Sequence, residues 1–196
     1  VHAQEGVEDS KEEGRKDLEH LKVDERDVVV ALSASARTPY CIGALECARE
    51  AGACCVGLSC NRPAELTDYS DIAIEVDAGP EILTGSTRLK AGTAEKMILN
   101  MISTAAMVGI GKVYGNLMVD MRATNLKLVE RAKRIVSMAC GCTEETAQAA
   151  LELADGGIKA AIVMILTGIT AKEAKERLEI HKGFVRKCLD GTHGRD

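Results

Sequence analysis

The sequence DVVVALSASARTPY occupies residues 27–40 and joins a continuous apolar run to a hydroxyl-rich loop. The apolar run, residues 27–32, is typical of a strand that is buried on both faces of a parallel sheet. The loop that follows, residues 33–39, is called the hydroxyl loop below. A helix is then predicted over residues 40–51 and ends at Gly52. Strand, loop and helix in this order indicate the first unit of a wound sheet.

The next segments continue the same order. Apolar runs predict a second buried strand at residues 54–59 and a third strand at residues 72–76. Helical spacing of apolar residues predicts a long helix over residues 91–108 and another over residues 125–138. Because strands alternate with helices, we predict an α/β fold with a doubly wound parallel sheet.

The end of the chain is predicted to be wholly helical. Helix caps at Thr143, and at Thr170 with Glu173, indicate a small three-helix bundle after residue 140. We therefore expect two domains, residues 1–139 and residues 140–196.

Composition excludes several classes of protein. The chain has 196 residues, of which 46% are hydrophobic, and a net charge of −5. Acidic and basic residues alternate without a long cationic run, which is a poor match to a nucleic acid or an anionic membrane. Since no apolar stretch reaches the ~20 residues that span a bilayer, we expect a cytoplasmic protein that binds neither nucleic acid nor a membrane.

The eight cysteines lie mostly within apolar strand and helix patterns. Cysteine in such positions behaves as a small buried hydrophobic residue. We expect free thiols and no metal site, and Cys140-Gly141-Cys142 is the one spacing that suggests a metal.

A glycine-rich segment, GPEILTGSTRLKAGTAEK at residues 79–96, lies between the third strand and the long helix. Its glycines let the backbone approach a ligand, Ser86 and Thr87 offer hydroxyls, and a helix N-terminus follows. Because both loops follow strands of a parallel sheet, we expect them at its carboxyl edge, where wound sheets bind ligands. Taken alone, the hydroxyl loop fits an ordinary helix cap as well as it fits a phosphate site.

The glycine-rich segment closely resembles the signature of the N-acetylmuramic acid 6-phosphate etherases and of the related glucokinase regulatory protein, both built on sugar isomerase (SIS) domains. The resemblance continues through residues 111–120 and 123–125 and reaches back to EGVEDS at residues 5–10. It implies an SIS-type sheet, incomplete at its N-terminus, in the first predicted domain. In the second it implies a ubiquitin-associated-like bundle and tail.

The resemblance implies that Ser33, Ser35 and Thr38 hold a sugar phosphate. Family members usually have glycine at the position of Ala36, so a positive φ there would be unfavourable in this chain.

In the glycine-rich segment we expect substrate contacts from Glu81, Ser86, Thr87 and Lys90. Alternatively, Glu81 orients the segment and does not contact substrate. Lys90 has an alternative role as the partner of an acidic neighbour in a structural ion pair.

The resemblance further implies that Glu8 is the general base that removes the C2 proton of an open-chain sugar. Without the resemblance, Glu8 would be an acid favoured near a helix N-terminus. A second acid, which protonates the departing lactate, belongs to a family segment before Val1. We therefore expect the chain by itself to be inactive.

The implied activity is that of a carbon–oxygen lyase. It would cleave the lactyl ether of N-acetylmuramic acid 6-phosphate by elimination and hydration, giving N-acetylglucosamine 6-phosphate and D-lactate without a cofactor. We expect a homodimer that binds a phosphorylated amino sugar. The alternative is a non-catalytic phosphosugar-binding regulator like glucokinase regulatory protein, and the match at residues 5–10 favours the enzyme.

Overall fold

The structure is a computed structural model and describes residues 6–190. The chain divides into two compact units, one up to Met101 and one from Ile102 onward. As predicted, the class is α/β, and the described residues form a three-stranded parallel sheet and eight α-helices.

The first unit is built on a parallel sheet with the strand order β1-β2-β3. The strands are β1 at Val28–Ser33, β2 at Cys54–Ser59 and β3 at Ile72–Glu75. In the pairing of β1 with β2, Ser33 lies opposite Ser59. Because the strands are parallel, their carboxyl ends lie at one edge of the sheet. The three predicted strands are confirmed, each shifted by no more than about one residue at an end.

Helices and 3₁₀ turns accompany this sheet. In chain order they are a 3₁₀ turn at Val7–Asp9, α1 at Lys11–Leu21, α2 at Pro39–Glu50, a 3₁₀ turn at Glu65–Tyr69 and the start of α3, which is Lys90–Gly109. Ser10 caps α1, since its Oγ accepts the Glu13 N–H at 3.2 Å. α2 begins with Pro39, whose missing N–H is tolerated in a first turn.

The core of the first unit joins α2 to the sheet. Leu45 and Ala48 of α2 are fully buried in one cluster with Ala31 of β1 and Cys55 of β2. Small side chains predominate in this cluster, which brings the backbones close together.

α1 and α2 cross so closely that two positions require glycine. A Cβ on Gly14 would lie 2.1 Å from the carbonyl oxygen of Tyr40, and one on Gly43 would lie 2.0 Å from that of Lys11. Both distances are far below van der Waals contact, and the obstructing atoms belong to the backbone. Beside the crossing, the Tyr40 hydroxyl donates to Asp17 at 2.8 Å.

The second unit is mainly helical. After α3 come a hairpin of β4 at Val113–Tyr114 and β5 at Leu117–Met118, then α4 at Leu126–Cys140, α5 at Glu144–Leu153, α6 at Ile158–Thr167, α7 at Ala171–Ile180 and α8 at Val185–Leu189. The predicted caps are present: Thr143 caps α5, and Thr170 with Glu173 forms a capping box for α7.

One core cluster holds the second unit together, and α4 contributes Ala132, Ile135 and Val136 to it beside residues of the later helices. The two compact units divide between Met101 and Ile102. The predicted domain boundary after residue 139 stays a prediction. Within residues 141–190 the structure has four helices, α5–α8, where three were predicted, because α8 is a single short turn with little sequence signal. A tail is predicted beyond Leu189, and its residues 191–196 lie outside the described residues.

Three general properties follow from the described residues. Every helix within residues 6–190 is too short or too polar to span a bilayer. No group of three His, Cys, Asp or Glu side chains within residues 6–190 is placed to hold a metal ion. All eight cysteines are free thiols, as predicted, and burial raises the pKa of Cys140 to about 11.

We expect Gly14→Ala to lower the free energy of unfolding of the first unit by about 1–3 kcal/mol, because the added methyl group overlaps backbone atoms. Gly92→Ala is the matched control. A Cβ on Gly92, also helical, would lie 3.6 Å from the carbonyl oxygen of Thr87, so alanine should be neutral or stabilising there. Urea unfolding followed by circular dichroism measures both variants, and equal midpoints would contradict the close crossing.

Candidate functional site

The carboxyl edge of the sheet carries two buried serines. Ser33 ends β1 and Ser59 ends β2, and their exposed fractions are 6% and 1%. Buried hydroxyls need hydrogen-bond partners, and both have them. Ser33 bonds within the hydroxyl loop, and Ser59 Oγ donates to the Asn61 carbonyl at 3.0 Å.

The hydroxyls of Ser33, Ser35 and Thr38 converge. Ser33 Oγ lies 2.6 Å from Thr38 Oγ1 and 3.3 Å from Ser35 Oγ. Thr38 precedes α2, yet its side chain makes no capping hydrogen bond to that helix. The Thr38 hydroxyl turns toward Ser33 and leaves the first amides of α2 without a side-chain cap. The geometry therefore disfavours the alternative in which the hydroxyl loop is an ordinary helix cap.

Ala36 has a positive φ, the conformation described above as unfavourable for a residue other than glycine. Its φ is 63°, in the left-handed region, and its N–H closes a turn on the Ser33 carbonyl at 3.0 Å. The left-handed conformation costs an L-residue about 1–2 kcal/mol. The Ala36 methyl group is fully buried, at 1% exposure, and a buried methyl group returns roughly 0.8 kcal/mol. Burial thus offsets much of the strain that glycine would avoid.

Glu81 has a structural role in the glycine-rich segment. Its carboxylate accepts the N–H groups of Lys90 at 3.1 Å and of Ala91 at 3.0 Å, which are the first amides of α3. These hydrogen bonds, that of Ala91 foremost, lower the pKa of Glu81. The alternative in which Glu81 orients the segment is therefore the one that the geometry favours.

The other residues predicted in this segment lie on its surface. Ser86 is half-buried, and its Oγ accepts the Arg88 Nε–H at 3.1 Å. Thr87 and Lys90 are exposed, and Lys90 contacts Glu81 through its backbone N–H. In the described part of the chain, no hydrogen bond joins these residues to the hydroxyl loop.

A contact near Ala91 links the two loops through the end of β2. Cys60 Sγ donates to the Ala91 carbonyl at 3.5 Å, and Ala91 is the buried residue of α3. The Cys60 N–H donates to the Ala34 carbonyl at 3.2 Å. The segment that follows β2 therefore contacts both candidate loops.

Glu8 lies in the 3₁₀ turn Val7–Asp9 and is exposed. The turn contacts α2, the helix that begins at the hydroxyl loop. Glu5 of the same motif lies outside the described residues. No hydrogen bond between Glu8 and the hydroxyl loop is present in the described chain, and the partial burial that would suit a general base is not observed.

Sequence reasoning did not assign a role to Ser59 or Asn61. Ser59 was part of a predicted strand, and Asn61 was part of the turn that closed it. A signal was available, since Ser59 ends β2 in the same way that Ser33 ends β1, and parallel neighbours end at the same edge.

The fold and this edge define an α/β protein with a candidate anion-binding site at the carboxyl ends of a parallel sheet. No protein-family model matches the chain. The chain is 56% identical over 97% of its length to the N-acetylmuramic acid 6-phosphate etherase of Shouchella clausii. It is 55% identical over 96% to N-acetylmuramic acid 6-phosphate etherase 2 of Enterococcus faecalis and 56% identical over 96% to the etherase of Mycolicibacterium smegmatis.

The chain thus belongs to the N-acetylmuramic acid 6-phosphate etherase family. It spans 64% of the length of the first two relatives and 63% of the third.

The Glu81 cap predicts a specific pH dependence. A folded-state pKa below the unfolded value of about 4.3 means that ionised Glu81 stabilises the fold above that pH. The contribution is lost as the pH falls through the lowered folded pKa. Glu81→Gln should therefore have a lower thermal midpoint than the wild type at pH 7. The difference between the two midpoints should become small in acid. Midpoints measured across the acid range test this, with Glu25→Gln, an exposed carboxylate elsewhere in the unit, as the control. A difference that stays constant with pH would contradict the assignment.

Proposed function

We propose that this chain is the part of an N-acetylmuramic acid 6-phosphate etherase that holds the sugar phosphate and supplies the general base. The observation that carries the proposal is the convergence of the Ser33, Ser35 and Thr38 hydroxyls at the carboxyl edge of the sheet. The names of the curated relatives, at 52–56% identity, favour the enzyme over a regulatory protein. In this proposal β1, β2 and β3 belong to a doubly wound SIS-type sheet, and α5–α8 form the ubiquitin-associated-like bundle.

The phosphate would lie against the hydroxyl loop and the start of α2. Three hydroxyls can donate hydrogen bonds to phosphate oxygens, and the first turn of α2 adds amides and the positive end of the helix dipole. Because no side chain caps α2, these amides are available to a ligand. At α3 the equivalent amides already bond to the Glu81 carboxylate, whose negative charge disfavours an anion there.

The reaction would be an elimination followed by hydration. The Glu8 carboxylate takes the proton from C2 of the open-chain sugar, which the C1 carbonyl acidifies. The electron pair of the C2–H bond becomes the C2–C3 double bond, and the C3–O bond to the lactyl group breaks. Lactate leaves with a proton from an acid that we assign to no residue of this chain. A water molecule then loses a proton and adds as hydroxide to C3, while C2 regains a proton from Glu8, which gives N-acetylglucosamine 6-phosphate.

Glu8 reaches this role only if the substrate or a further chain covers it, since the side chain is exposed. Covering a carboxylate raises its pKa and suits it to accept a proton from carbon near neutral pH. We also propose that the protein is a cytoplasmic homodimer that acts without a cofactor.

Removal of one phosphate-binding hydroxyl should weaken binding without unfolding the chain. Ser35→Ala and Thr38→Val should each raise the dissociation constant for N-acetylglucosamine 6-phosphate, because a hydrogen bond to a charged group contributes about 1.5–3 kcal/mol. Calorimetric titration measures the change. Thr104→Val, an exposed hydroxyl on α3, is the control and should bind as the wild type does.

Titration with unphosphorylated N-acetylglucosamine separates phosphate recognition from sugar recognition. An equal loss of affinity for both ligands would refute the phosphate assignment.

The base role of Glu8 is tested in a protein of full family length that contains this chain. Glu8→Gln should abolish exchange of the substrate C2 proton with solvent deuterium and keep substrate affinity near normal, because the amide preserves shape but cannot accept the proton. Asp9→Asn alters a neighbouring exposed carboxylate in the same turn and should retain exchange. Retained exchange in Glu8→Gln would remove Glu8 from this role and leave the phosphate site unaffected.

A further inference from the structure

The backbone of the hydroxyl loop is held by one segment of chain. Three consecutive carbonyls of the loop each accept a hydrogen bond from residues 60–66, which are called the anchoring segment below. The bonds run from Cys60 N–H to Ala34 at 3.2 Å, from Asn61 Nδ2 to Ser35 at 3.5 Å, and from Leu66 N–H to Ala36 at 3.1 Å. The middle bond is the one that a side chain makes.

This anchoring fixes the direction of the loop amides. In a trans peptide the N–H group points away from the preceding C=O group. Carbonyls 34, 35 and 36 point toward the anchoring segment, so the N–H groups of Ser35, Ala36 and Arg37 point away from it. Within the loop, the Ala36 N–H donates to the Ser33 carbonyl at 3.0 Å and the Arg37 N–H donates to Ser35 Oγ at 3.5 Å. The anchored backbone therefore also sets the positions of Ser33 and Ser35.

The anchoring segment is itself held at both ends. At its start, the buried Ser59 hydroxyl donates to the Asn61 carbonyl at 3.0 Å. Further along, Glu75 of β3 accepts the Ala64 N–H at 3.2 Å and the Thr67 hydroxyl at 2.5 Å. Asn61 therefore extends its side chain from a fixed backbone.

We propose that Asn61 is a positioning residue for anion binding: its side-chain amide holds the Ser35–Ala36 peptide so that the hydroxyls of Ser33, Ser35 and Thr38 face one ligand. The proposal rests on the phosphate-binding function proposed above and adds a residue that does not touch the ligand. Asn61 is exposed and lies outside both core clusters. Its replacement should therefore disturb the orientation of the hydroxyl loop and have little effect on the stability of the first unit.

The first measurement needs no ligand. Nitrogen-15 relaxation of the Ser35, Ala36 and Arg37 amides should show greater backbone motion in Asn61→Ala than in the wild type. Asn61→Gln retains the amide donor and should restore part of the order. Asn116→Ala, which removes an exposed asparagine from the hairpin of the other unit, is the matched control and should leave the loop unchanged. Unchanged relaxation in Asn61→Ala would overturn the proposal.

The second measurement is affinity for N-acetylglucosamine 6-phosphate by calorimetry. Asn61→Ala should bind about 3- to 10-fold more weakly, as the loss of one neutral hydrogen bond predicts, with its thermal midpoint unchanged. A lowered midpoint with equal affinity would show a merely structural role and overturn the proposal. If the wild-type chain itself fails to bind the sugar phosphate, the proposed function fails, and the relaxation data still decide whether Asn61 orders the loop.

Discussion

The parallel pairing of β1 with β2 in one register is the constraint on which the candidate site depends. Pairs run from Val28 opposite Cys54 to Ser33 opposite Ser59, so both strands end at the same level. A slip by one residue would turn every side chain of a strand to the opposite face, and Ser33 would leave the buried edge. With this register, the chain that follows β2 lies beside the chain that follows β1. Backbone hydrogen bonds between the two segments then become possible.

The second support of the site is the position of α2. The hydroxyl loop ends where α2 begins, so a displaced helix would separate Thr38 from Ser33. Gly14 and Gly43 let α1 lie directly against the α2 backbone, and small side chains let α2 approach the sheet. The loop is therefore fixed at both ends, and this tertiary fixation, with a buried methyl group, lets Ala36 remain at a positive φ.

Two helix N-termini near the sheet edge differ in what they can bind. The first amides of α3 bond to the Glu81 carboxylate, which is held ionised by those same hydrogen bonds. α2 has no side-chain cap in the structure, and three hydroxyls lie beside its start. An anion gains the helix dipole at α2 and meets negative charge at α3. The glycine-rich segment thus shapes the edge, while the hydroxyl loop offers the donors.

Local chemistry let the sequence determine the three strands, the caps at Thr143 and Thr170, and the grouping of Ser33, Ser35 and Thr38 within one short loop. Apolar runs and capping residues act over a few neighbours, so no distant contact is needed to recognise them. Other features depended on residues far apart in the chain. The reach of Glu81 to the start of α3, the attachment of Asn61 to Ser35 and the packing of α4 with the later helices each needed the tertiary structure. Each of these contacts joins segments whose distance is set by packing, and a linear pattern carries no record of which carbonyl or amide a side chain will meet.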